Sequence, residues 1–275
     1  MGFWPVVLNV LRNSDVVLLV LDARMSEIAR NSEIVGKVES TGKRLVYVFN
    51  KCDLISEKDV DKLRREYVNG FFVSALKRRG IKKLREALEN MAENWERESL
   101  RVGIVGYPNA GKSSLINVLV PHAGLKVKSV SGTTKKTEWL RMGRLRIQDS
   151  PGVIPAGDDK IKIGLTASKD PHKIRNPEKV AFKILEFVLE KDRGILERFY
   201  GVGVYAESRK GGRAEKIARG LTQTNTDRGG EVDIYDVFLE IGRKKGWLLK
   251  GGVVDEDRCA IRIIDDWQRG RLGLK

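Results

Sequence analysis

The sequence predicts an α/β fold, a doubly wound and mostly parallel sheet followed by a smaller, helical C-terminal part. Three observations predict it. Apolar runs such as Val16-Val17-Leu18-Leu19-Val20-Leu21 alternate with helix-period segments through the first half of the chain, as expected of parallel strands buried on both faces. A glycine-rich stretch, GYPNAGKS at 106–113, falls between one such run and a helical segment. After Gly152 the alternation stops, and apolar residues recur at helical spacing from residue 178 onward.

The elements follow in order. The first strand is 16–21, and a helix is expected over 26–38. The run 44–49 is a second strand, and Ser56-Glu57 opens a helix that runs to about Tyr67. Phe71-Phe72-Val73 is a short third strand. Gly80 precedes Ile81, Leu84, Leu88 and Met91, spaced as one helix face. The run 100–105 is a fourth strand, and a helix is expected over 112–119. Residues 139–142 and 145–148 read as paired strands joined at Gly143. The proline-bearing stretch 153–177 reads as a linker or ordered loop. Val180, Ile184, Leu185, Val188 and Leu189 then form an apolar stripe, and 195–199, 214–221 and 232–241 suggest further helices. The expected domains are 1–170 and a basic helical 171–275.

Charge is lopsided across the 275 residues: 52 Lys+Arg against 37 Asp+Glu gives +15 and a pI near 9.8. That balance suits a polyanionic partner, nucleic acid before anionic membrane, although a charge-rich soluble surface accounts for it as well. Cys52 and Cys259 make no disulfide framework and fit a reduced cytosol. Two cysteines with the separated His122 and His172 offer no metal cluster. Arg12, Asn13 and Asp15 interrupt the N-terminal apolar run, which makes neither a span nor a secretory signal. Val6 stands where a myristoylation motif needs Ser or Thr. No membrane and no DNA partner is expected, and the location expected is cytoplasmic.

Residues 106–113 match G-x-x-x-x-G-K-[ST] in the strand–loop–helix context that this phosphate-binding loop requires. Backbone amides of Asn109, Ala110, Gly111, Lys112, Ser113 and Ser114 are expected to wrap phosphates at a helix N-terminus. Lys112 reaches the β and γ oxygens, and the Ser113 hydroxyl is a ligand for Mg²⁺. Asp149-Ser150-Pro151-Gly152 ends a later strand: Asp149 holds Mg²⁺ through water, and the Gly152 amide contacts the γ-phosphate. Thr134 is preferred over Thr133 as the threonine that closes on Mg²⁺ and γ-phosphate.

Upstream, Asn50-Lys51-Cys52-Asp53 follows a strand as a guanine reader does. Asp53 accepts from guanine N1–H and the exocyclic amine, and adenine would leave that carboxylate unpaired. Asn50 meets the O6 edge and braces the phosphate loop, while the Lys51 stem lies along the base. Ser74-Ala75-Leu76 reads as a second base loop, with the Ala75 amide aimed at O6. The order is base reader, base loop, phosphate loop, switch threonine, D-x-P-G. Cutting an ordinary G domain between its D-x-P-G element and its base reader, then joining the old ends through 77–98, produces that order. The fold expected is therefore a circularly permuted P-loop G domain.

At "DVVLLVLDAR", "FNKCDL", "GYPNAGKSSLIN", "GTTKKTEW" and "IQDSPGVI" the chain resembles the circularly permuted GTPases of the YlqF/RbgA family, and "FLEIGRKKGWLLKGG" and "IIDDWQRGRL" resemble that family's helical tail. The resemblance implies GTP/GDP binding with Mg²⁺, GTP hydrolysis, and action on the large ribosomal subunit and its rRNA. Bacterial members carry a "PGHM"-like stretch with a histidine proposed to act in hydrolysis, where this chain reads MGFWP. Val153 and Ile154 follow Gly152 where other GTPases place a water-orienting Gln, so Lys112, Asn109, Thr134 and Gly152 are the catalytic candidates. By analogy with other P-N-x-G-K-S loops, Asn109 is a candidate K⁺ ligand. Basic clusters at Lys126, Lys128, Lys135, Lys136, Arg141, Arg144 and Arg146, at 77–83, and in the tail suit RNA phosphates. Trp247 is read as core before base-stacking. A GTP-dependent RNA- or tRNA-binding factor outside ribosome assembly is the other reading.

Overall fold

The computed structural model describes residues 4–30, 32–120, 139–152, 154, 160–166, 169–203 and 232–275. In chain order it contains α1 (Trp4–Asn13), β1 (Val16–Asp22), α2 (Ser26–Ala29), α3 (Ser32–Glu39), β2 (Arg44–Asn50), α4 (Glu57–Glu66), β3 (Phe71–Phe72), α5 (Ile81–Glu93), β4 (Leu100–Val105), α6 (Lys112–Leu119), β5 (Trp139–Met142), β6 (Leu145–Asp149), α7 (Lys160–Leu165), α8 (Pro177–Lys191), α9 (Gly194–Tyr200), α10 (Ile234–Lys244) and α11 (Glu256–Gln268).

The sheet has the order β3-β2-β1-β4-β6-β5, all parallel except the β5–β6 pair. Every residue of β1 is buried, and the two-residue period sorts its side chains. Val17, Leu19 and Leu21 join one core with α1, α3 and α4, and that core continues into α7–α11. Val16, Leu18 and Val20 join the other, beneath α5 and α6. Each fully buried Val or Leu contributes about 1.5–3 kcal/mol. The chain leaves β1 toward β2 on one side, whereas β4 lies on the other, so the strand order reverses between β1 and β4. Ligands of doubly wound sheets bind at the carboxyl ends beside such a reversal.

Local chemistry sets the element ends. Ser56 caps α4 by accepting from the Asp59 amide at 3.2 Å. Asp233 and Asp255 cap α10 and α11 in the same way. The helix expected over 26–38 is divided: Arg30 is extended (φ −68°, ψ 108°), and α3 restarts at Ser32. The stretch expected to be linker holds α7 and a 3₁₀ turn at Pro171–Lys173. Gly164 packs so closely on Val180 that a Cβ there would lie 2.5 Å from it, which fixes α7 against α8. The helix expected over 214–221 lies outside the described residues. Trp247 is half-buried, packed against the core with its ring edge toward Tyr200 at 6.4 Å.

Candidate nucleotide-binding site

The loop 106–113 leaves β4 and turns into α6, with Gly111 in a left-handed conformation (φ 92°) as its N-cap. A Cβ on Gly111 would come within 2.2 Å of Asn50 Nδ2, so glycine is required for the loop to meet the base-reading strand. Lys112 is buried and donates to the carbonyls of Gly106 (3.1 Å) and Tyr107 (2.8 Å). Burial pushes its ammonium pKa down to about 8, against a smaller upward pull from Asp149. Asn109 is half-buried and left-handed (φ 57°).

Parallel register sets Asp149 at the end of β6 opposite Ile104 of β4, and the Ser150 amide donates to the Ile104 carbonyl at 3.1 Å. Ser113 Oγ donates to Asp149 Oδ2 at 2.8 Å. This hydroxyl–carboxylate pair is a hard-oxygen donor set that fits Mg²⁺. Gly152 presses on the phosphate loop: a Cβ there would meet the Pro108 backbone at 2.6 Å. Thr134 lies outside the described residues, as do Lys126, Lys128, Lys135 and Lys136.

The base reader follows β2. Asn50 is buried, and its Nδ2 donates to the Ala110 carbonyl at 2.9 Å while its Oδ1 accepts from the Ala75 amide at 3.0 Å. The side chain thus clamps the phosphate loop to the base loop. The Ala75 amide, expected to face guanine O6, donates to Asn50 Oδ1 in this structure, which supports the bracing role of Asn50. Ser74 is buried, and a backbone pair with Arg79 closes its loop, leaving Leu76 exposed. Lys51 takes a left-handed conformation (φ 64°), and Asp53 follows half-buried in a 3₁₀ turn. No hydrogen bond to the Asp53 carboxylate comes from the described residues.

Sequence reasoning gave no role to Asp22 and Arg24. Both are buried at the end of β1, where Lys51 Nζ lies 2.8 Å from Asp22 Oδ2 and Arg24 Nη2 lies 2.8 Å from the same atom. Burial alone would raise the Asp22 pKa, but the Arg24 and Lys51 charges overcome it and hold the carboxyl far below the usual range. Burial also lowers the Lys51 pKa, against the upward pull of Asp22. Removing one partner from such a buried pair costs about 3–5 kcal/mol. The available signal was D-x-R after an apolar strand, a pattern of charges that burial would force to pair.

Among the described residues two of the expected clusters are exposed, Lys77, Arg78, Arg79, Lys82 and Lys83 beside the base loop and Arg243, Lys244, Lys245 and Lys250 in the tail, whereas Arg209, Lys210, Arg213, Lys216 and Arg219 lie outside the described residues. Arg141 is exposed, but the Arg144 guanidinium is occupied by the carbonyls of Glu93, Trp95, Arg97 and Glu98. No helix among the described residues is long and apolar enough to cross a membrane. No group of His, Cys, Asp and Glu suited to a metal occurs among them.

Residues 101–198 match the family of 50S ribosome-binding GTPases. The chain is 35% identical over 97% of its length to an uncharacterized GTP-binding protein, MJ1464, of Methanocaldococcus jannaschii. It is 30% identical over 96% of its length to GTPase grn1 of Schizosaccharomyces pombe, and 29% identical over 98% to nucleolar GTP-binding protein 2 of Saccharomyces cerevisiae. It spans 65%, 59% and 52% of those proteins. The crystal structure of GNP-bound YlqF from T. maritima superposes with a TM-score of 0.60 at 22% identity, over 98% of this chain and 95% of that one. From motif order, sheet topology and the likeness to the solved YlqF structure, the chain has a circularly permuted P-loop G-domain fold.

Proposed function

We propose that the protein binds and hydrolyses GTP and acts in assembly or maturation of the large ribosomal subunit, binding rRNA in a nucleotide-dependent way in the cytoplasm. The observation that carries the nucleotide reading is the Asn50 clamp, which brings the base reader against the phosphate loop although the two lie far apart in an inverted chain order. Asp53 then accepts from guanine N1–H and the exocyclic amine, while the amides of 109–114 and Lys112 bind the phosphates. Ser113 and Asp149 would hold Mg²⁺, which supplies positive charge to the phosphate oxygens when bound. Val153 and Ile154 offer no water-orienting Gln, and Asn109 would hold K⁺, which would supply positive charge near the phosphates.

The ribosomal part rests on the family match at 101–198, on the relatives named as nucleolar GTP-binding proteins, and on exposed cations beside the base loop and in the tail. We assign GTP hydrolysis to 1–170 and rRNA binding to 171–275. The chain leaves Gly152 into α7 and thence α8, so a γ-phosphate contact at Gly152 shifts the helical part directly. Co-sedimentation with separated ribosomal subunits at physiological salt tests this reading. Pelleting with the large subunit in a non-hydrolysable GTP analogue, but not in GDP, is expected. Absence of pelleting in both states, or co-purification of tRNA in place of subunits, would move the protein to another RNA target.

A further inference from the structure

Two segments that flank the site from opposite ends meet on one residue, Trp267. On the base side, Asp22 ties Lys51 to Arg24, whose backbone amide and Nε both lie 3.1 Å from Asp22 Oδ1. Arg24 Nη1 continues to the carbonyls of Trp267 (2.7 Å) and Leu272 (3.2 Å), and its guanidinium lies 4.0 Å over the Trp267 ring. Beside it, the Leu54 carbonyl of the base reader accepts from the Leu274 amide at 2.6 Å. On the phosphate side, the chain beyond Gly152 forms α7, whose Leu165 carbonyl accepts from Trp267 Nε1 at 2.9 Å. Asp22, Arg24, Trp267, Leu272 and Leu274 are buried, and a buried cation such as Arg24 separated from its carboxylate and carbonyls is heavily penalised. The base reader and the segment 267–274 therefore move together or not at all.

We propose that Asp22 and Arg24 are positioning residues for guanine, holding Lys51 at the base and docking 267–274 in the same arrangement, so that guanine binding and docking of this C-terminal segment form one coupled equilibrium. The proposal rests on the guanine reading given above. Coupling between binding equilibria is reciprocal. Any partner that loosens 267–274 weakens guanine binding by the same factor that guanine tightens the segment.

Amide hydrogen exchange on the full chain tests it, with no ligand, with GDP, and with inorganic pyrophosphate as a phosphate-only probe. GDP is expected to slow exchange across 267–274 by about tenfold, within the usual range of coupling between sites. Pyrophosphate slows only the 106–113 amides. Arg24→Lys keeps a cation beside Asp22 but cannot hold both carbonyls while stacking on Trp267. It abolishes the GDP effect at 267–274 and weakens GDP about tenfold, with pyrophosphate affinity unchanged. The wild-type comparison stands by itself if Arg24→Lys does not fold. GDP protection at 50–53 and 106–113 with none at 267–274 overturns the coupling and leaves the nucleotide reading intact, as does an equal loss of GDP and pyrophosphate affinity in Arg24→Lys. No GDP protection at 106–113 overturns the nucleotide reading and the coupling with it.

Discussion

Asn50 Nδ2 lies 2.9 Å from the Ala110 carbonyl oxygen, joining a strand end to a loop 60 residues away. The same side chain accepts from the Ala75 amide. Replacing Asn50 by Ala leaves a buried donor and a buried acceptor without partners, at about 1–3 kcal/mol each. Asn50→Ala is expected to lower stability by about 2–6 kcal/mol in urea unfolding and to weaken GDP at least tenfold in calorimetry. Unchanged GDP affinity would show that the clamp does not organise the site.

Gly111 faces that clamp. Ala at this position meets left-handed backbone strain of about 1–2 kcal/mol and drives Asn50 from Ala110, a further 1 kcal/mol or so. Gly111→Ala is expected to weaken GDP by about 30- to 100-fold while the far-ultraviolet circular dichroism is unchanged. A variant that binds as well as the parent would mean that the loop has room to re-form.

Lys112 gives a pH signature. Its folded pKa is near 8, below the ordinary lysine value of 10.5, so between those values the unfolded chain holds the extra proton. Stability from this group therefore rises as pH climbs from about 8 to about 10.5, and its burial penalty is felt in full below 8. Without nucleotide, the difference in unfolding free energy between the parent and Lys112→Met should shift toward the parent across that window. A difference that is flat with pH would remove the buried, charged lysine from the account.

Asn109 predicts an ion effect. A cation held at the transferring phosphate stabilises charge that develops only during reaction. Replacing Na⁺ by K⁺ should raise GTP turnover by about tenfold or more, and Asn109→Ala should abolish the difference. Equal rates in the two salts, measured by phosphate release, would leave hydrolysis without this group.

The strands and the phosphate loop were legible because their signals are local. Apolar runs located β1, β2 and β4 to within a residue, and the motif at 106–113 marked the start of α6. Three features were hidden for physical reasons. α7 spans six residues, Lys-Ile-Lys-Ile-Gly-Leu, whose alternation reads with a two-residue period, and its helix is held by packing on α8. The break at Arg30 has no Gly or Pro to announce it. The bonds of the Ala75 amide and of Arg24 depend on groups brought close only by the tertiary fold, at separations of 25 and 243 residues.

We propose that the permuted chain still assembles one guanine site, with Asp53 reading the base. Titrating GDP and xanthosine diphosphate into the parent and Asp53→Asn tests it most directly, because an amide in place of the carboxylate donates to the carbonyl that xanthine carries where guanine has its amine. The parent is expected to prefer GDP, and Asp53→Asn to reverse the preference, each by more than about a hundredfold. Equal GDP binding by both proteins would contradict it and move guanine recognition elsewhere in the chain.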